Sequence, residues 1–466
     1  MTNFNRRKFL KTTALLGSTI TLGHSLSACH QSSSSQSRSA SDTLRFAVLS
    51  DPHVYNLALG TTGQALENYL AEDRKMLLQS GEILSAIVQQ LLQQPELDAL
   101  LIPGDLTKDG ELVCHQKALE LLQPLRDAGK KVYVIPGNHD INNPDAVSFN
   151  GDTTSAVETV NAEQFASLYA DFGYQQALYR HDNSLSYIAE PTSGVWLVAL
   201  DSCKYQDNAS LGSPETSGAL SDDLLGWLQP LLTEAQAQNK LVFGMQHHGL
   251  VAHFASQRTI FPEYLIDDYE SVGAMLAAYG LNLVFTGHFH AQDASMADYN
   301  GDGSTLLYDV ETGSTVTAPC PYRLVDVNIA DQSFNISSLF IDSITSMSNF
   351  AEYKENFINQ GMLSLYRRYL AQMGLTGDSL NQFASLAASL HVAHYKGDES
   401  TETSTLTTLQ ALASSPDANT AYLGNALLGL AVDPGLSDNQ LALSLSGESI
   451  ALFTLIKRVL HRKALA

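Results

Sequence analysis

The chain has 466 residues, 44% of them hydrophobic and 16% charged, with a formal net charge of −23 at pH 7. That composition suits a globular protein with a substantial core, and the length allows two or three domains at about 150 residues each. The acidic balance opposes long polyanions and argues against a nucleic-acid polymer as partner, but not against a small phosphate ester, because bound cations reverse the local potential.

The N-terminus carries export cues. Asn5-Arg6-Arg7-Lys8-Phe9-Leu10-Lys11 resembles a twin-arginine signal, and the apolar stretch 14–28, broken by Gly17, Gly23 and His24, is short for a membrane span. Leu26-Ser27-Ala28-Cys29 looks like a bacterial lipobox, which makes 1–28 a signal peptide and Cys29 the lipid-attachment residue. Residues 29–43, rich in Ser and Gln, are expected to be a flexible tether. The expectation is an exported lipoprotein facing the periplasm or the extracellular side, touching the membrane through its N-terminal anchor only. Cys114, Cys203 and Cys320 remain, an odd number at wide spacing that outlines no disulfide framework.

From residue 44 to about 341, short β-rich runs alternate with helical stretches. Strands are predicted at 45–50, 99–103, 132–136, 195–200, 241–246 and 283–286, where aliphatic runs end in Gly, Pro, Asp or His. Helices are predicted at 73–94, 111–128, 162–172, 221–237 and 267–279, and further strands at 304–311, 322–329 and 333–340. This is an α/β pattern of packed sheets with helices outside. After residue 341 only helical segments are read, at 349–373, 379–391, 403–414, 422–430 and 448–462, so 342–466 is expected to be a small all-α domain.

Five predicted strand ends carry the chemistry: Asp51-Pro52-His53, Gly104-Asp105, Gly137-Asn138-His139-Asp140, His247-His248 and Gly287-His288-Phe289-His290. Carboxylates, an amide oxygen and several imidazoles suit Zn, Mn or Fe ions. A carboxylate at Asp105 can bridge two cations, and Asn138 can offer its amide oxygen. His139 is not expected to point the way its neighbour does, which frees it for substrate, with Asp140 at hand to orient its ring and raise its pKa.

Gly-Asn-His-Asp and its companions, in this order, resemble the calcineurin-like metallophosphoesterases, over residues 44–341. The resemblance implies a two-sheet β-sandwich flanked by helices, with two divalent or trivalent ions (Mn, Fe or Zn) at the strand ends. It implies Asp51, His53 and His290 on one metal, Asn138, His247 and His288 on the other, and Asp105 between them. His139 matches the substrate-facing histidine and Asp140 its supporting acid, with Asn138 also close to substrate. Gly249 stands where Pro often follows the His pair. His247 is favoured as the ligand, and His248 is expected near the substrate.

Residues 137–144 (Gly-Asn-His-Asp-Ile-Asn-Asn-Pro), Asp171-Phe172-Gly173-Tyr174, Ser184-Leu185-Ser186-Tyr187 and the helical C-terminal region further resemble a bacterial lipoprotein group of cyclic nucleotide phosphodiesterases. That likeness implies hydrolysis of 3′,5′-cyclic nucleotides by a metal-activated hydroxide; the helical domain, which carries no chemistry of its own, is expected to wall the cleft and limit substrate size. The alternatives are a phosphomonoesterase or another phosphodiesterase on envelope or extracellular substrates, and a non-catalytic, metal-stabilised binding lipoprotein.

Overall fold

The computed structural model describes residues 42–432 and 436–446. The signal at 1–28, Cys29, nearly all of the tether and the helix expected over 448–462 lie outside the described residues.

Three parallel strands begin the chain: β1 (Thr43–Val48), β2 (Ala99–Pro103) and β3 (Lys131–Ile135). Between them run α1 (Gln64–Glu72), α2 (Ser80–Leu92) and α3 (Leu112–Asp127). The helix predicted from residue 73 starts only at Ser80. Asp73 instead accepts the backbone N–H of Lys75 at 3.0 Å, a turn that Asp side chains favour. A hairpin not read from the sequence follows, β4 (Val147–Asn150) with β5 (Thr153–Ala156); every residue of β5 is exposed. Helix α4 (Ala162–Leu168) begins at a reciprocal cap between Asn161 and Gln164.

The second sheet contains β6 (Tyr179–Arg180), β7 (Tyr187–Thr192), β8 (Val195–Leu200), β9 (Leu241–Gln246), β10 (Leu283–Thr286), β11 (Asp293–Asp298) and β12 (Leu306–Glu311). Its helices are α5 (Asn208–Leu211), α6 (Asp222–Ala237), α7 (Gln257–Ile260) and α8 (Tyr269–Ala278). Strands β8, β9, β10 and β12 are parallel neighbours, buried at every residue, as strands covered on both faces must be.

The chain then returns to the first sheet with β13 (Pro321–Asn328) and β14 (Ser333–Phe340), and continues through α9 (Phe350–Gln372), α10 (Gly377–Lys396), α11 (Thr403–Ala413) and α12 (Ala418–Leu430). It does not end as helix alone. Strand β15 (Gln440–Ser444) pairs antiparallel with β14 and buries Leu441 and Leu443. The sheets run β15-β14-β13-β1-β2-β3 and β11-β12-β10-β9-β8-β7-β6.

Aromatic contacts hold the sheets face to face. Phe46 of β1 stacks on Phe243 of β9 at 5.1 Å and meets Phe285 of β10 edge-on at 5.5 Å. Each such buried side chain stabilises by about 1.5–3 kcal/mol. On the outer face of the second sheet, Leu224, Leu228 and Leu232 of α6 pack with Trp196 and Val198. Helices α9, α10, α11 and α12 form a further core that takes in Phe254 and Phe289. No helix among the described residues is long and apolar enough to cross a membrane.

Between this helical region and the second sheet lies a buried ionic cluster. His253 donates from Nδ1 to Asp293 at 2.6 Å, with its Nε2 3.6 Å from Asp309 and 3.8 Å from Glu311; His394 of α10 lies 3.9 Å from Asp293. Burial opposes a charge on His253, but Asp293 and Asp309 outweigh it and hold the pKa well above its ordinary value. A raised histidine pKa stabilises the fold fully below the unfolded value of about 6.5 and less as pH climbs through the folded value. His253→Gln should therefore cost about 3–5 kcal/mol near pH 6, with the gap to wild type narrowing toward alkaline pH. Thermal melts across that range check this, and a gap independent of pH would refute it.

Candidate metal centre

The parallel strands β1, β2 and β3 of one sheet and β9 and β10 of the other deliver their C-terminal ends to one place. Each turn leaves its strand abruptly, and the backbone shows how. Asp51, His53, Asp105, His288 and His290 all have positive φ, between 37° and 76°. That region is uncommon for residues with a Cβ and clusters at functional sites. Two glycines make the close approach possible. A Cβ on Gly104, itself at φ +99°, would stand 2.6 Å from His247 Nδ1, and one on Gly137 would stand 2.1 Å from Asp105 Oδ1.

Two groups of donors result. Asp51, His53, Asp105 and His290 each offer an atom within 4.8 Å of the others, as do Asp105, His247 and His288, so Asp105 is shared. His290 Nε2 lies 3.3 Å from Asp51 Oδ1 and 3.2 Å from His53 Nε2. Both His53 Nε2 and His247 Nε2 stand 3.5 Å from Asp105 Oδ2. Asn138 Oδ1 joins the second group, 3.1 Å from His247 Nε2.

The surroundings orient these rings. His247 donates from Nδ1 to the carbonyl of Pro103 at 2.8 Å, and His53 from Nδ1 to that of Thr107 at 3.3 Å, which turns both Nε2 atoms inward. Asp51 Oδ2 accepts from the Ser50 hydroxyl and the His288 N–H, while its Oδ1, although close to His290, and His288 Nε2 are buried with no hydrogen-bond partner. Unpaired buried atoms of this kind, aimed among imidazoles and carboxylates, fit cations. Burial, then the charge of Lys75, lowers the His53 pKa well below its ordinary value, and burial does the same for His288, so both are neutral donors. For Asp105, burial opposes ionisation, but His247 and His139 outweigh it and hold the carboxyl well below its ordinary range. These buried His and Asp clusters are consistent with a dimetal site.

His139 stands at the open side, with 23% of its side chain exposed and its ring 5.0 Å from that of His53. Its ring partner differs from the sequence expectation. Nδ1 meets Asp109 at 2.8 Å, not Asp140. The Asp140 carboxylate is taken up by the backbone: it accepts the N–H groups of Leu106, Thr107 and Gly137 and the Thr107 hydroxyl, tying the β2 and β3 turns together. With its oxygens committed to these donors, Asp140 does not serve the ring beside it.

His248 also differs from expectation. It is fully buried, with Nδ1 2.8 Å from the Ser202 hydroxyl and Nε2 donating to the Thr216 carbonyl at 2.8 Å. Burial pushes its pKa down to about 3, and both nitrogens are occupied. It packs 4.4 Å from the His288 ring and has no free atom for a substrate.

Two residues were missed by sequence reasoning. Asp109 lies four residues past Asp105, and its contacts with Lys108 and His139 bring its pKa down to about 2 against the pull of burial. Lys75 is a nearly buried cation whose charge reaches His53 and His139. Only the acidic residue beside a Gly-Asp turn was a signal; nothing local marked Lys75.

Residues 44–292 match the family model for calcineurin-like phosphoesterases. No curated sequence is similar enough to count as a match. Among solved structures, a dimetal phosphatase from Danio rerio aligns at 16% identity over 64% of this chain and 96% of that one, with a TM-score of 0.44. A sulfate thiohydrolase from Thermus thermophilus, solved with glycerol, aligns at 14% identity over 69% and 60%, TM-score 0.36. A phosphopantetheinyl hydrolase from Mycobacterium tuberculosis aligns at 11% over 59% and 91%, TM-score 0.29.

The shared carboxylate gives a direct test. After loading with Mn²⁺ or Zn²⁺ and dialysis, the protein should hold about two ions per chain. Asp105→Asn should lose most of both, whereas Asp109→Asn, which touches His139, should keep them. Elemental analysis reads this, and full occupancy in Asp105→Asn would show that the two groups do not depend on one shared ligand.

Proposed function

Since this chain belongs to the calcineurin-like phosphoesterases, and so is a metal-dependent hydrolase of phosphoric esters, we propose that its substrates are 3′,5′-cyclic nucleotides. The hydrolase reading is carried by one observation: two buried donor groups share Asp105, and a partly open histidine stands beside them. The cyclic diester is supported by the sequence likeness at residues 137–144, 171–174 and 184–187. Part of that set props the site. The Tyr187 hydroxyl donates to the Val134 carbonyl of β3 at 3.0 Å, and Tyr174 packs on the Tyr187 ring.

In this reading Asp51, His53, Asp105 and His290 hold one cation, and Asp105, Asn138, His247 and His288 the other. When bound, the cations would polarise the phosphoryl oxygens and supply a hydroxide nucleophile at neutral pH. His139 is the proton carrier. Its Nδ1–H donates to Asp109, which fixes the ring and leaves the proton on Nε2 for the alkoxide that departs as the P–O bond breaks. Water is consumed and a nucleoside monophosphate forms. Lys75 adds a fixed positive charge that favours an anionic ester.

We also propose export and acylation at Cys29. Cys29→Ala should move the protein from the membrane fraction to the soluble fraction, and unchanged fractionation would refute the anchor. For the chemistry, initial rates with Mn²⁺ on 3′,5′-cyclic AMP, an aryl phosphodiester and an aryl phosphomonoester should favour the cyclic nucleotide. Asp105→Ala should abolish turnover, and His139→Ala should lower kcat by about 10²–10⁴-fold. Preference for the monoester would overturn the substrate class while leaving the metal centre in place.

A further inference from the structure

Behind the His288–His290 turn is a cavity of about 260 Å³ that the ligand cluster does not use. Phe261, Tyr264 and Phe289 wall it from the catalytic side. Tyr366 of α9, with His391 and Tyr395 of α10, faces them, and α12 closes it with Ala426 and Leu427. The cavity shares a wall with the metal centre. The Tyr264 ring lies 4.6 Å from the ring of His288, and Phe289 sits in sequence between the ligands His288 and His290. Arg74 lines it too, next to the Lys75 whose charge reaches His53 and His139.

The lining selects a kind of occupant. Its aromatic faces favour a flat π-system over a flexible chain, because rings stack at little entropic cost. His391 supplies one polar point. Its ring lies parallel to Phe289, 7° between planes, and its Nδ1 is 2.9 Å from the Tyr366 hydroxyl. Its Nε2 is buried with no partner. A buried polar atom left unpaired is costly, and a ligand that pairs with it removes that cost. An aliphatic tail would leave it unpaired. A volume just under the ~300–1,000 Å³ of sites for whole drug-sized ligands suits one ring system, with the rest of the molecule outside.

We propose that this cavity is a separate binding site for a planar heteroaromatic group, set behind the metal centre and sharing Tyr264 and Phe289 with its wall. Adenosine, which has no phosphate, should bind the metal-loaded, full-length protein in detergent, as read by calorimetry. Ala426→Trp, which fills the cavity, should weaken that binding tenfold or more. His391→Phe keeps the ring and removes Nε2; it should weaken adenosine binding severalfold. Melting curves establish that each variant folds.

Equal adenosine affinity in both variants and wild type, or no binding to wild type at millimolar concentration, would overturn the assignment. So would decanoate binding to the cavity more tightly than adenosine, which would make it an acyl site. Adenosine binding lost in Ala426→Trp would support the assignment whether or not an ester is turned over, since none of the metal-centre donors lines the cavity.

Discussion

The molecule is organised around a left-handed exit from parallel strands. Asp51, His53, Asp105, His288 and His290 all leave their strands at positive φ, which turns the chain out of the sheet where their donor atoms gather. Each positive φ at a residue with a Cβ costs on the order of 1–3 kcal/mol and persists only where packing over-determines it. That packing is visible. The strands behind these turns are buried at almost every position, and Phe46, Phe243 and Phe285 lock the two sheets together just beneath. The aromatic core is thus a condition for the strained turns, and the turns are a condition for the donor set.

Convergence creates an electrostatic problem that neighbouring acids solve in different ways. Asp140 spends its oxygens on three backbone N–H groups and a hydroxyl, so it fastens two turns. Asp109 keeps an oxygen for His139 and is held ionised against burial by Lys108, which also reaches Glu111 at 3.0 Å. A buried lysine between two acids is stable only because it is paired. The same arrangement keeps a full negative charge beside the His139 imidazole. Fastening the turns and pairing with the His139 ring are therefore divided between Asp140, directly after the histidine, and Asp109, 30 residues before it.

Much of this was legible in the sequence because it is local. An aliphatic run ending in Gly or Pro and then Asp, Asn or His states both a buried strand and what it presents at its tip, and β1, β2, β3, β9 and β10 all follow that rule. What was not legible depends on contacts between distant segments. The partner of His139 could not be chosen between Asp109 and Asp140 without knowing which faces the backbone. Paired histidines 247 and 248 read alike, yet Ser202 and Thr216, far off in sequence, hold His248 away from the site. Strand β11 reads Asp-Ala-Ser-Met-Ala-Asp and shows no apolar run, and β15 is a strand because Leu441 and Leu443 have a sheet to meet. Helix α2 begins late because Asp73 prefers its own turn, a local signal outweighed in the reading by helical periodicity.

The helical region is joined to the metal centre through side chains. Arg323 of β13 is wholly buried, donating to the Asp438 and Glu311 carbonyls and to the Thr312 hydroxyl, so the approach to β15 and the end of β12 share one guanidinium. Asp438 in turn accepts from the N–H groups of Ala294, at the start of β11, and Asp398, just after α10. Phe289, flanked in sequence by His288 and His290, packs into the same core as α9, α10 and α12. A protein interior is close-packed and transmits displacement. Any repacking of α10 against Phe289 must therefore shift the backbone that sets the directions of His288 and His290. The helices are part of what positions the buried donor groups around Asp105, even though they contribute none of them.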